Sequence, residues 1–289
     1  MSRLAAQWPH YWRLMRFHRP IGIWLLLWPT LWALWFAADG PPSPQVFIVF
    51  VLGTVLMRAA GCVVNDLADR DFDPHVARTR DRPIAAGVVR PREALVLFGL
   101  LCLIAFALTA SLQNGRVLAL AVPAVVLASI YPFTKRWISI PQAVLGLAFS
   151  WGIPMAFAAV LPEIPWNTVC LLMAANLCWV VAYDTFYAMA DRDDDLKIGV
   201  KSSAILFGRF DRAITAALQV ATLSLLAWVG RDLGVAWYAG LAIAAALALH
   251  QQWMVRDREP KACFSAFVAN HYFGAAVFLG LAFDRFLSA

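Results

Sequence analysis

Charged residues are scarce in this sequence of 289 amino acids. Asp, Glu, Lys and Arg make up 15% of the chain, whereas 62% of the residues are apolar. A soluble domain usually has roughly 25% charged and about 45–50% apolar residues. A single water-soluble core cannot hide so large an apolar excess. The composition therefore excludes an ordinary soluble domain and indicates that lipid is the solvent for much of the chain.

The sequence also has no C-x-x-C pair of cysteines, and we expect that its N-terminal segment is not a secretory signal. The five Cys residues lie in or beside apolar segments without a C-x-x-C pair, which argues against a disulfide framework or a zinc site. Arg13, Arg16 and Arg19 precede a long Trp-rich apolar stretch that has no small-residue cleavage pattern. We expect this N-terminal segment to be an amphipathic, interfacial lead-in to the first membrane span. We expect no nucleic-acid partner.

Long apolar segments recur along the whole chain. Each is close to the roughly 20 residues that an α-helix needs to cross a bilayer. The sequence therefore predicts an all-α integral membrane protein with nine transmembrane helices, at about 21–38, 46–64, 94–112, 116–133, 139–160, 166–189, 213–230, 234–251 and 267–285.

The number of Lys and Arg residues alternates between high and low from one connection to the next. Of 24 Lys and Arg residues, 20 lie in the N-terminal lead and in alternate connections, and three lie in the other connections and the C-terminal tail. The remaining cation, Arg58, lies inside the second predicted span. By the positive-inside rule, this asymmetry predicts a cytoplasmic N-terminus, a periplasmic C-terminus and an odd number of helices.

Acidic residues also concentrate on the cytoplasmic side, although orientation requires only cations. The first acidic motif reads N-D-L-A-D-R-D-F-D, at the inner end of the second span. Four-residue spacing places Asn65, Asp69 and Asp73 on one face of a helix. Three oxygen-bearing side chains on one stripe are a plausible partial shell for a hard cation such as Mg²⁺.

A second acidic motif repeats this spacing about 120 residues later. Asp191 and Asp195 are four residues apart at the inner end of the sixth span, with Tyr187 one turn earlier and Asp184 deeper. The repetition suggests one domain, 1–289, built from two related halves of about 1–137 and 138–289. Two such stripes could hold Mg²⁺ ions around one diphosphate. Ionised side chains beside lipid usually mark function.

Cations accompany both acidic motifs. Arg78 and Arg82 follow Asp73, Lys135 and Arg136 end the fourth span, and Lys201 follows the second motif. Arg and Lys both bind phosphate, Arg through a planar fork and Lys as a point charge. These cations therefore complete a predicted diphosphate site.

Arg58 lies two turns before Asn65, within apolar sequence, where a guanidinium needs a partner. Two interpretations remain open from the residues alone. Arg58 either pairs with Asp184 across the cavity or receives the carboxylate of an acidic substrate.

Five stretches together resemble the UbiA superfamily of intramembrane prenyltransferases. They are R-P-I-G-I-W-L-L-L-W-P-T-L-W-A-L-W (19–35), the first acidic motif (65–73), A-R-T-R-D-R-P-I-A-A-G (77–87), Y-P-F-T-K-R (131–136) and the second acidic motif with its extension (184–204). The resemblance covers all but the last third of the chain. It implies a nine-helix bundle around a central cavity, with a lateral opening for a lipid substrate.

The resemblance also implies the chemistry and the residues that perform it. A polyprenyl chain would pass from polyprenyl diphosphate to the ring carbon ortho to the hydroxyl of 4-hydroxybenzoate, in a bacterial inner membrane, with the active site facing the cytoplasm. The acidic residues of both motifs would hold Mg²⁺ and diphosphate, with Asp69, Asp73, Asp191 and Asp195 as the catalytic set and Asn65 and Asp184 beside them. The substrate contacts would come from Arg58, Arg78, Arg82, Tyr131, Lys135, Arg136 and Tyr187.

Two alternatives remain. One is another acceptor within the superfamily, such as homogentisate, dihydroxynaphthoate, haem or chlorophyllide. The other is a secondary transporter, which would place its charges near the bilayer midplane.

Overall fold

A computed structural model of the chain describes residues 3–75 and 79–288. These residues form α-helices, two short 3₁₀ helices at Asp73–His75 and Gly208–Phe210, and connecting turns, with no β-strand. The all-α prediction is confirmed for this part of the chain. The α-helices are α1 (Arg3–Leu14), α2 (Ile21–Ala38), α3 (Pro44–Ala68), α4 (Pro91–Ala110), α5 (Gly115–Thr134), α6 (Pro141–Ser150), α7 (Gly152–Val160), α8 (Trp166–Ile198), α9 (Ser203–Phe207), α10 (Asp211–Val229), α11 (Val235–Met254) and α12 (Pro260–Ser288).

Local chemistry explains where several helices begin and end. Pro44 and Pro91 occupy the first turns of α3 and α4, where the missing N–H breaks no helical hydrogen bond. The Asn114 side chain accepts a hydrogen bond from the Arg116 N–H at 3.1 Å and caps α5. Helix α8 ends at Gly199, whose φ of 72° lies in the left-handed region that glycine adopts readily.

Eight helical segments in the described ranges are long and apolar enough to cross a membrane. They correspond to eight of the nine predicted spans, with α6 and α7 together forming the fifth. Helix α11 is not among them, and its end carries His250, Gln251 and Gln252. The multi-pass membrane architecture is confirmed, whereas the count of nine spans, the orientation of the termini and the two related halves stay predictions.

Aromatic packing joins α2, α8 and α12 beside the cavity. Trp32 of α2 and Trp179 of α8 are buried with ring centroids 5.2 Å apart. The Trp32 indole N–H donates to the Gly274 carbonyl at 3.1 Å, and that of Trp179 donates to Asn270 Oδ1 at 3.0 Å. Both acceptors belong to α12. These contacts hold α2, α8 and α12 together and so support the site from one side.

A second cluster of buried apolar residues joins α1 to the bundle. Leu14 and Met15 pack with Ala59 and Val63 of α3 and with Ala94 of α4. On the opposite face of α1, Trp8 and Trp12 are exposed. This two-faced packing agrees with the predicted amphipathic character of the segment, and it brings the N-terminal lead next to the first acidic motif.

Candidate active site

A central cavity of about 710 Å³ opens among the helices. One end is lined by the polar residues of both acidic motifs, including Asp69 at the end of α3 and Asp191 of α8. The remainder is largely apolar and extends to Val49 and Phe50, near the beginning of α3, and to Leu112, just beyond the end of α4. The cavity therefore combines a charged end with a long apolar section.

The first acidic motif departs in part from the predicted single helical stripe. Helix α3 ends at Ala68, and Asp69 is its C-cap residue. The Asp73 N–H nevertheless donates to the Asp69 carbonyl at 2.8 Å, which preserves one further helix-like turn. As a result Asn65, Asp69 and Asp73 all line the cavity, as their spacing predicts, although only Asn65 lies within the helix.

Two predicted cations are paired with these carboxylates. Lys135, the C-cap of α5, forms an ion pair with Asp69. Arg82 donates to both Asp73 oxygens, at 3.0 and 2.9 Å. Burial raises the pKa of Asp73 to about 6 despite the lowering effect of Arg82, and the carboxylates of Asp69 and Asp66 raise it further. The first motif is thus a crowded cluster of buried charges in which added positive charge favours ionisation.

The second acidic motif forms the continuous helical stripe that the sequence predicts. Helix α8 has 33 residues and continues past the motif to Ile198. Asp184, Tyr187, Asp191 and Asp195 occupy successive turns, and all four line the cavity. The two motifs therefore face one shared space, although their helices are far apart in sequence.

The other predicted cations have different positions. Arg78 lies outside the described residues. Arg136 donates to the Ala68 carbonyl at 2.6 Å and stacks over Phe72 and Phe133, with its guanidinium carbon 5.2 and 5.3 Å from the ring centroids. Through these contacts, Arg136 connects the end of α5 to the end of α3 and stabilises the edge of the site. Lys201 lines the cavity and donates to the Trp137 carbonyl at 3.1 Å.

Arg58 lines the cavity deeper than the acidic motifs. Its Nη1 donates to Cys62 Sγ at 2.6 Å, and its buried Nε has no hydrogen-bond partner. The guanidinium lies against Gly22 so closely that a β-carbon there would come within 2.2 Å of Nε. A half-buried guanidinium with a buried, unused N–H donor is suited to receive a carboxylate.

The structure adds two charged residues that the four-residue spacing missed. Asp66 and Arg16 both line the cavity and form an ion pair at 2.6 Å. Asp66 follows Asn65 directly, so it lies about 100° away from the stripe on a helix. The signal for Asp66 was its separation of three residues from Asp69, which also brings side chains to one face. Sequence offered no comparable signal for Arg16.

The polar end has room for a divalent cation. The Oδ1 atom of Asp69 is buried without a hydrogen-bond partner, and oxygen atoms of this type are the ligands that Mg²⁺ prefers. Within the described ranges, no three Asp, Glu, His or Cys residues lie close enough to hold one ion by themselves. The carboxylate and amide oxygens of the two motifs are ligand types that Mg²⁺ commonly combines with waters and phosphate oxygens.

The apolar section of the cavity reaches the lipid-facing surface. Phe106 of α4 and Val122 and Val126 of α5 line the cavity and are also exposed on the outside of the bundle. Because this surface consists of apolar side chains on membrane-spanning helices, a hydrophobic chain can enter there without crossing water. This position fits the predicted lateral opening.

Comparison with known proteins yields a consistent set of similarities. The model of the UbiA prenyltransferase family matches residues 26–277. The chain is 59% identical over 276 residues to a 4-hydroxybenzoate octaprenyltransferase of Methylococcus capsulatus, covering 95% of this chain and 94% of that protein. It is 54% identical over 286 residues to the 4-hydroxybenzoate octaprenyltransferase of Pseudomonas aeruginosa, covering 97% and 96%.

Solved structures give the same fold. The apo structure of a UbiA homolog from Aeropyrum pernix K1 matches with a TM-score of 0.77 and 27% identity, covering 89% of this chain and 96% of that one. A UbiA homolog from Archaeoglobus fulgidus bound to GPP and Mg²⁺ matches with a TM-score of 0.69 and 19% identity, covering 94% and 99%. At 19% identity, this second likeness shows the fold alone.

Proposed function

The chain belongs to the UbiA prenyltransferase family, and on that basis we propose that it transfers a polyprenyl chain from polyprenyl diphosphate to 4-hydroxybenzoate. The allylic C–O bond breaks and diphosphate leaves, the new bond forms at the ring carbon ortho to the phenol hydroxyl, and that carbon loses its proton. The names of close relatives support both the aromatic acceptor and the prenyl donor. The expected biological context is ubiquinone biosynthesis.

One observation carries the proposal. Both acidic motifs line a single cavity whose other section is apolar and reaches the lipid-facing surface. Prenyl diphosphate has the same two parts, a highly charged head and a long hydrocarbon chain. A substrate that places its head between Asp69 and Asp191 can therefore extend its chain along the apolar section.

The polar end is suited to ionising the donor. Lys135 and Arg82 lie beside Asp69 and Asp73, where their charges can stabilise diphosphate as it gains negative charge on leaving. Asn65, Asp69, Asp73, Asp184, Asp191 and Asp195 are the residues that would hold Mg²⁺. When bound, Mg²⁺ neutralises diphosphate charge and so favours cleavage of the allylic C–O bond.

Two aromatic residues of the cavity have a separate proposed role. Tyr131 and Tyr187 line the cavity close to the acidic motifs. Their ring faces attract the positive charge that develops on the allylic carbon, and the apolar walls limit its capture by water.

Arg58 is our candidate for the carboxylate of 4-hydroxybenzoate. Its unpartnered Nε can donate a hydrogen bond to the carboxylate of the acid. Because Arg58 lies two turns before Asn65 and lines the same cavity, the bound acid would lie beside the diphosphate of the prenyl substrate. Arg136 is a weaker candidate because the Ala68 carbonyl and two aromatic rings already engage its side chain. Another UbiA-type acceptor would need a different partner for Arg58 if it lacked a carboxylate.

The proposed location is the bacterial inner membrane, with the polar end of the cavity facing the cytoplasm. The predicted orientation supports this side, because both acidic motifs lie in cation-rich connections. A water-soluble aromatic acid and Mg²⁺ would then reach the cavity from the cytoplasm, while the prenyl chain enters from lipid.

The decisive experiment is an assay of the purified protein in detergent with a prenyl diphosphate and 4-hydroxybenzoate. We expect a prenylated acid with the new bond ortho to the hydroxyl, loss of product in excess EDTA, and recovery when Mg²⁺ is restored. Detergent removes any transmembrane gradient, so a secondary transporter would give no product. A panel that includes homogentisate and dihydroxynaphthoate tests the acceptor, and product from those acceptors only would refute the choice of 4-hydroxybenzoate.

A further inference from the structure

A buried chain of four charges connects α1 to the first acidic motif. Asp66 Oδ1 accepts from Arg16 Nη2 at 2.6 Å and lies 3.2 Å from Arg82 Nη1. The same Arg82 nitrogen donates to both oxygens of Asp73. The order is therefore Arg16, Asp66, Arg82, Asp73, with two positive and two negative charges alternating.

Burial makes each member of this chain depend on the others. The side chain of Asp66 is 0% exposed and that of Arg82 is 12% exposed. A buried charge without a counter-charge is strongly unfavourable, whereas an alternating set with hydrogen bonds is tolerated. Among the described residues, Arg16 and Arg82 are the cations paired with Asp66. Without Arg16, we expect Arg82 to move toward Asp66 and away from Asp73 and the cavity.

Helix α1 fixes the position of Arg16. Leu14 and Met15 are buried against α3 and α4. Arg16 itself has φ 62°, a left-handed backbone conformation that is uncommon outside glycine. The turn after α1 places the guanidinium in the cavity wall beside Asp66. The turn therefore brings a second cation to Asp66, beside Arg82.

We propose that Arg16 and Asp66 are positioning residues that aim Arg82 at the diphosphate of the donor. They act through Arg82 rather than on the reacting atoms. The inference rests on the proposed function for the identity of the ligand. It adds a role for the N-terminal helix, which becomes part of the donor site rather than a membrane anchor alone.

The test compares Arg16, which lies two residues beyond the end of α1, with Arg13 in the last turn of α1. Arg13 donates to the Asp81 carbonyl at 3.2 Å and is the matched control, because its removal takes away the same charge without touching Asp66. The dissociation constant of geranyl diphosphate is measured in detergent with Mg²⁺ present, by calorimetry and without an acceptor. We expect Arg16→Ala to weaken binding about ten-fold, the size of one charge-assisted contact, and Arg13→Ala to leave it within about two-fold.

Further variants separate positioning from folding. Arg16→Lys keeps the charge and should recover most of the affinity, while Asp66→Asn should weaken binding as Arg16→Ala does. When Arg16→Ala and Asp66→Asn are combined, the two losses of binding free energy should not add, because both substitutions act through Arg82. Turnover measurements should show a raised KM for the donor and an unchanged KM for 4-hydroxybenzoate.

Two results would overturn the inference. One is unchanged geranyl diphosphate binding in Arg16→Ala and Asp66→Asn, and the other is an equal loss in Arg13→Ala. Both are distinct from failure of the proposed function, in which the native protein binds geranyl diphosphate but prenylates no aromatic acid.

Discussion

At the scale of single residues, Asp69 and Asp191 represent the two acidic motifs on opposite walls of the cavity. We expect Asp69→Asn or Asp191→Asn to lower prenyl transfer by about 10²–10³-fold, because each removes charge that stabilises the leaving diphosphate. The assay is product formation by protein that still purifies as a monodisperse, folded species. Asp193→Asn is the control, because Asp193 lies in the same run of carboxylates but is exposed. Equal losses in all three variants would contradict a site-specific role.

Arg58 provides a second test at this scale. Arg58→Ala should raise the KM for 4-hydroxybenzoate by about 10–100-fold, since a hydrogen bond to a charged group contributes about 1.5–3 kcal/mol. The KM for prenyl diphosphate should change little, because Lys135 and Arg82 remain in place. Initial-rate kinetics with each substrate varied in turn separate these effects. An unchanged KM for the acid would favour the alternative in which Arg58 neutralises Asp184.

At the scale of helices, α11 and α12 cross at an unusually close contact. A β-carbon added to Gly240 would lie 2.7 Å from the Ala276 carbonyl oxygen and 2.7 Å from the α-carbon of Gly280. Both neighbours are backbone atoms and cannot move aside without shifting a helix. We expect Gly240→Ala to destabilise the fold by about 1–3 kcal/mol, as overpacking usually does.

Thermal unfolding in detergent measures this effect as a lower Tm. The matched control is Gly99→Ala in α4, because a β-carbon there meets no atom within 4 Å. In a helix, Ala is otherwise favoured over Gly by about 1 kcal/mol, so the control should be neutral or slightly stabilising. Equal Tm values for the two variants would contradict the close crossing.

The helices also show what sequence could and could not predict. The lengths of the apolar segments located eight of the nine predicted spans. The four-residue spacing located Asn65, Asp69, Asp191 and Asp195, because helical periodicity is a local property of the chain. The end of α3 at Ala68 and the contacts of Arg136 depend on tertiary packing. Arg16 was missed for the same reason: its partner Asp66 lies 50 residues away, and no local pattern links the two.

At the scale of the whole molecule, the membrane topology can be tested directly. The connections before and after α11 carry exposed carboxylates, Asp232 and Asp257. If α11 spans the membrane, a membrane-impermeant maleimide should label Asp232→Cys in intact cells and label Asp257→Cys only after permeabilisation. The parent protein, with its five native Cys residues, supplies the background. Labelling of both positions from one side would reduce the number of spans and overturn the predicted orientation.

The length of α8 has a consequence for the lipid that surrounds the protein. Its 33 residues extend about 50 Å at 1.5 Å per residue, against about 30 Å of hydrocarbon in a typical bilayer. The end that carries Asp191 and Asp195 therefore projects into the headgroup and water layers. Acyl chains long enough to thicken the membrane would bring these carboxylates closer to hydrocarbon and hinder access of hydrated ions. We therefore expect turnover to fall as the bilayer becomes thicker.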